Sequence, residues 1–98
     1  MKDFVTIINS DKPTLVDFHA SWCGPCRLQG PIIDDVKKRV GDDVVILKID
    51  VDGNSRLAAQ YDVRSVPTLI IFKNGEPVWR ESGLHSADDI EAALRHFI

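Results

Sequence analysis

Apolar positions along this chain alternate between a helical period and near-continuous runs. Phe4, Ile7 and Ile8 stand at i, i+3 and i+4, which predicts a short amphipathic helix over residues 2–9. The breaker SDKP ends it. TLVDFHA, Thr14 to Ala20, follows as a β-rich and nearly all-apolar run, the pattern of a strand buried on both faces. A longer helix comes next, with Leu28, Ile32, Val36 and Val40 as its apolar stripe and Asp34, Asp35, Lys37 and Lys38 turned away. Pro25 suits its first turn, Pro31 is expected to kink it, and Gly41 to stop it.

The second half reads in the same way. VVILKI, Val44 to Ile49, predicts a second buried strand, DGN a turn, and residues 55–61 a short helix. VPTLIIF, Val66 to Phe72, is a third strand, and Asn74-Gly75 is a strong hairpin signal. Glu76 to Ser82 then returns antiparallel, and Pro77 implies that it lies at an edge. Ser86 with Asp89 behind it opens a closing helix as an acidic variant of the capping box, and Ile90, Leu94 and Phe97 line its buried face. The order α-β-α-β-α-β-β-α predicts an α/β fold. Its first two strands are parallel through a right-handed crossover and its last two form a hairpin. The expectation is a mixed four-stranded sheet with helices on both faces, in one domain over residues 1–98.

Composition narrows the classes of function. A formal charge of -3 leaves no basic footprint for nucleic acid, and no run of about eighteen apolar residues predicts a membrane span. The opening MKDFVTIINSDK lacks the apolar core and small-residue cleavage site of a secretory signal, so a cytoplasmic protein is expected. A mature exported domain with a new Met1 would look the same. Two cysteines are too few for the disulfide scaffold of a small secreted protein.

Those two cysteines, in HASWCGPCRLQGP, are the candidate chemistry. A structural staple across so short a loop gains only about 2 kcal/mol in the chain-entropy model, within a turn that hydrogen bonds order anyway. A metal site wants a second cysteine pair or histidines at H-x₃₋₅-H spacing, and His19, His85 and His96 do not supply it. A redox pair has a positive mechanism. Cys23 stands where a strand ends and a helix begins, and that end of a helix favours a thiolate by roughly 0.3–2 kcal/mol. Residues at this spacing on a helix have Cβ atoms about 5–6 Å apart, so small adjustments close or open the bond.

WCGPC at Trp22 to Cys26, after a strand carrying VDF and before a helix containing Pro31, resembles the thioredoxin family. The likeness continues through VPT at 66–68, FKNGE at 72–76 and Gly83, and so spans nearly the whole chain. Gly-Pro between the cysteines separates it from glutaredoxins, which typically carry Pro-Tyr, and from protein disulfide isomerases, which carry Gly-His. The resemblance implies a thioredoxin fold and a thiol-disulfide oxidoreductase that reduces protein disulfides. Cys23 would attack and Cys26 would resolve the mixed disulfide. No cofactor is implied beyond the Cys23–Cys26 disulfide. The implied partners are thioredoxin reductase and disulfide-containing target proteins, and the expected state is a monomer.

Other roles follow from the residues and the resemblance together. Asp17, in the middle of an apolar strand, is costly unless neutral or paired, and is the candidate acceptor of the Cys26 proton, directly or through a water. Cys23 is expected to be the more accessible sulfur. Trp22, Gly24, Pro25, Val66, Pro67, Gly83 and Leu84 would form a substrate groove, with the Val66–Pro67 bond cis by resemblance. His19 shares a strand face with Asp17, about 6–7 Å along it, and would tune the acid.

The chain departs from the family in lacking the usual N-terminal strand, in having His19 where an aromatic residue is frequent, and in a polar Ser82 at the groove. Ile46 is read at the place of a lysine near the buried acid, with Lys48 two residues along. The alternatives are an exported domain that oxidises or isomerises disulfides, and a non-catalytic scaffold that binds through the same fold.

Overall fold

Thr14–His19 forms β1, and every other layer is arranged around it. The computed structural model describes residues 2–98; the reading that Met1 already opens the first helix lies outside them. α1 covers Lys2–Ile8, α2 Gly24–Val40, β2 Val45–Asp50, α3 Ser55–Gln60, β3 Thr68–Lys73, β4 Glu76–Ser82 and α4 Ala87–Arg95. The sheet order is β2-β1-β3-β4. β1 runs parallel to β2 and antiparallel to β3, and β3 and β4 form the hairpin. The segment from Lys2 is helical, so the sheet of the described residues has four strands and no strand ahead of α1.

Side chains alternate across β1 and β3, so the two sheet faces build two cores. Leu15, Leu69 and Ile71 pack with Ile33, Val36 and Val40 of α2 and with Ile90 and Leu94 of α4. Val16, Phe18, Ile70 and Phe72 pack on the other face with Phe4 and Ile8 of α1, and with Leu57 of α3. Helices therefore cover both faces, as the element order implies. Both central residues of the Asn74-Gly75 turn have positive φ, 53° and 82°, the conformation that makes a two-residue hairpin follow the strand twist.

Two sequence readings are corrected. The buried face of α2 is Cys26, Gln29, Ile33, Val36 and Val40; Leu28 is 61% exposed and Ile32 only half-buried. Successive i+4 steps drift by about 40° each, so the 28-32-36-40 series winds around the helix. Alternating steps of three and four keep one stripe. β2 is an edge strand, the place that a sheet without the N-terminal strand leaves for VVILKI, and Ile49 alone in it is fully buried, which corrects the reading of a strand buried along its length. Pro31 lies inside α2, and the helix continues through it to Gly41, whose φ of 60° ends it. Phe97 falls past the end of α4, half-buried against the same core as Leu94.

Candidate active site

β1 delivers the chain to the cysteines, and α2 begins between them. Cys23 is the N-cap of α2, in an extended conformation, and its Sγ accepts the Cys26 N–H at 3.2 Å. One of the N–H groups that a helix start leaves unpaired is thus directed at the sulfur. Gly24 and Pro25 are exposed in the first turn, where the proline sacrifices no hydrogen bond. The Cα atoms of Cys23 and Cys26 lie 5.3 Å apart, and the two sulfurs are joined as a disulfide.

Cys23 is 5% exposed and Cys26 7%, so the expectation that Cys23 is the more accessible of the two is not met. Ala20, Val51 and Val66 pack around the pair and cover both residues alike.

Facing the disulfide, the Val66 carbonyl oxygen lies 3.6 Å from Cys23 Sγ, and the Val66–Pro67 peptide is cis. Gly83 donates its N–H to the Pro67 carbonyl at 2.9 Å with a φ of 87°, a conformation that favours glycine. Leu84 beside it is 46% exposed. Trp22 is 68% exposed and donates its indole N–H to Asp52 at 2.9 Å. With Val51, Val63, Arg64, Ser65 and Val66, it lines a shallow pocket of about 110 Å³. Of the residues read as a groove, Trp22 and Val66 thus line one pocket, Val66 faces Cys23 Sγ, and Gly83, with Leu84 next in the chain, is tied to Pro67.

Asp17 alternates with Val16 and Phe18, so its carboxyl faces the α2 side of the sheet with Leu15. It is 2% exposed, and its Oδ1 has no hydrogen-bond partner. Burial pushes its pKa above the usual carboxylate range, against smaller opposing effects of the charges on His19 and Lys48. The Lys48 position is a correction. The register sets Lys48, not Ile46, opposite Asp17, and Lys48 Nζ binds Asp34 Oδ1 at 2.7 Å. His19 is half-buried at the end of the strand.

Sequence reasoning missed Gln29 and Asp52, and set Lys48 two residues away from its place opposite Asp17. Gln29 was hidden because a polar residue does not score as apolar stripe, although its spacing from Cys26 and Ile33 places it on one. Lys48 and Asp52 depend on strand register and loop path, which the local sequence does not carry. Among the described residues, no three His, Cys, Asp or Glu side chains gather as a metal site, and no helix is long and apolar enough to cross a membrane.

A disulfide capping a helix at the end of a central strand, with a proline loop opposite, defines a dithiol-disulfide oxidoreductase class of site. The thioredoxin family model matches residues 1–96, and the chain belongs to the thioredoxin family. It is 42% identical to thioredoxin of Porphyra purpurea over 94% of this chain and 86% of that one. Against thioredoxin of Alicyclobacillus acidocaldarius the identity is 41%, over 94% and 88%. Among solved structures, a variant thioredoxin of Halobacterium salinarum superposes with a TM-score of 0.90 at 34% identity, covering 99% of this chain and 84% of that chain.

Proposed function

We propose that the chain is a single thioredoxin domain that reduces protein disulfides by dithiol-disulfide exchange. The Cys23 thiolate attacks one sulfur of the target disulfide, and the other sulfur leaves as a thiolate. Cys26 then gives its proton to Asp17 and attacks Cys23 Sγ, which releases the second target thiolate and forms the Cys23–Cys26 disulfide. Two electrons pass to the target. The observation that carries this reading is the Cys26 N–H aimed at Cys23 Sγ at 3.2 Å, at the positive end of α2. That bond favours a thiolate on Cys23 and does nothing for Cys26, which separates nucleophile from resolving thiol although the two are equally buried.

Burial raises the pKa of Asp17, which suits a group that must take up a proton, and His19 tunes it. Trp22, Gly24, Pro25, Val66, Pro67, Gly83 and Leu84 form the target groove. A flavin-dependent thioredoxin reductase re-reduces the pair, and the protein works as a monomer in the cytoplasm.

The test is a trapping experiment with pre-reduced protein and insulin. Cys26→Ser accumulates a mixed disulfide through Cys23, while Cys23→Ser traps nothing and has no turnover. Equal trapping by Cys23→Ser reverses the assignment. A reduction potential near that of glutathione would instead favour disulfide oxidation or isomerisation.

A further inference from the structure

Gln29 is fully buried, on the face of α2 that also carries Cys26 and Ile33. A buried amide is costly unless its donor and acceptor are both used, and an aliphatic residue there would carry no such burden. Here both are used on one residue. Gln29 Nε2–H donates to the His85 carbonyl at 3.1 Å, and the His85 N–H donates to Gln29 Oε1 at 2.9 Å. The side chain thus clamps the backbone of His85 as a neighbouring strand would.

His85 directly follows Gly83 and Leu84. Its ring Nδ1 lies 2.9 Å from the Gly83 carbonyl, which can only accept, so Nδ1 carries the proton. Gly83 in turn donates to the Pro67 carbonyl. The ties therefore run from the helix of Cys26 through Gln29 to His85, on to Gly83, and from there to the proline loop that faces Cys23. Loops at a groove are otherwise mobile, and ordering them on binding weakens affinity.

The geometry points to Gln29 as a positioning residue that holds the Gly83–Leu84 wall of the target groove at a fixed place relative to the disulfide. This rests on the proposed reduction of protein disulfides. The clamp acts on binding of an extended protein segment, not on the sulfur chemistry.

Two variants test it, with dithiothreitol as electron donor. Gln29→Leu, of similar volume, removes both hydrogen bonds. Its KM for insulin rises about tenfold, the effect of losing a net hydrogen bond or two. Its kcat, the single-turnover rate at which the pre-reduced protein, freed of dithiothreitol, reduces dithiobis-nitrobenzoate, and its equilibrium constant with glutathione stay within about twofold of the parent. Amide exchange at His85 speeds up, while that at Ile90 and Leu94 does not. Gln29→Glu keeps the shape. Protonated, it makes both bonds; ionised, it loses the donor to the His85 carbonyl, so its KM climbs with pH where the parent's does not. An unchanged KM in both variants overturns the inference. So does a parallel fall in kcat and in the small-disulfide rate, which would mean a damaged redox centre. Failure of both variants to fold would make the clamp a matter of stability alone and overturn it too. A parent inactive on insulin sinks the proposed function instead, while the exchange at His85 still reports the clamp.

Discussion

Asp17 places a carboxyl in a strand buried along nearly its whole length, and the structure leaves its Oδ1 without a partner. Because burial raises its folded pKa above the unfolded value, the folded state holds the proton more tightly than the unfolded state does. Stability therefore falls as pH rises from the ordinary carboxylate value, near about 4, through the folded pKa, and stays lower above it. Asp17→Asn removes the ionisation. The variant should be more stable than the parent at neutral pH, and the difference should shrink towards zero as the pH drops below the carboxylate range. Urea unfolding midpoints measured across that range check this, and a gap independent of pH would refute the burial argument. The burial of the acid was legible, since a charge inside LVDF is costly unless it is neutral or paired. Its surroundings were not. The place opposite it was read as Ile46 and is Lys48, because register between parallel strands is set by packing across the sheet, two positions shifting a side chain along the same face.

At the scale of the element, α2 shows what periodicity can and cannot decide. Its length, its start at the cysteines and its stop at Gly41 are all readable from Pro25, the apolar spacing and the glycine. The buried stripe is a different matter, because two candidate stripes share Val36 and Val40 and diverge only in the first turns. Gln29 broke the correct one. The divergence has a measurable consequence. Ile33 is fully buried against β1, β3 and α4, so Ile33→Ala should destabilise by about 2–5 kcal/mol. Leu28, exposed on the opposite side, should change stability by no more than about 0.5 kcal/mol on truncation to Ala. Denaturant titration of the two single variants settles the stripe, and comparable losses would restore Leu28 to the core. The β3-β4 hairpin needed no such arbitration, because Asn-Gly specifies a local backbone conformation that owes little to the rest of the chain.

On the scale of the whole molecule, the sheet of the described residues has two edges, β2 and β4, and each carries features that oppose pairing with another strand. β4 protects itself with Pro77, which lacks an N–H, with an irregular register between Ile71 and Phe72, and with Glu76, Arg80 and Glu81 along its exposed length. β2 has no proline. The N–H groups of Val45 and Val51 are turned inward to Pro13 and His19, so by alternation the outward backbone groups belong to Ile46, Lys48 and Asp50. Asn54 Nδ2 donates to the Asp50 carbonyl at 3.1 Å and closes one end, and Asp42 and Asp43 put negative charge before the other. Lys48 is then the one charge in the middle of the open stretch, flanked by half-buried Leu47 and buried Ile49. Two copies pairing antiparallel through β2 about Lys48 would crowd their two lysine side chains and disturb each Lys48–Asp34 ion pair, a cost that opposes pairing at this edge. The parent should sediment as a single monomeric species. Lys48→Val should add a dimer whose share grows with protein concentration, because valine favours the strand and removes the charge. A parent that is already dimeric, or a Lys48→Val variant that stays monomeric at the highest concentration reached, would show that the β2 edge is guarded by something other than its lysine.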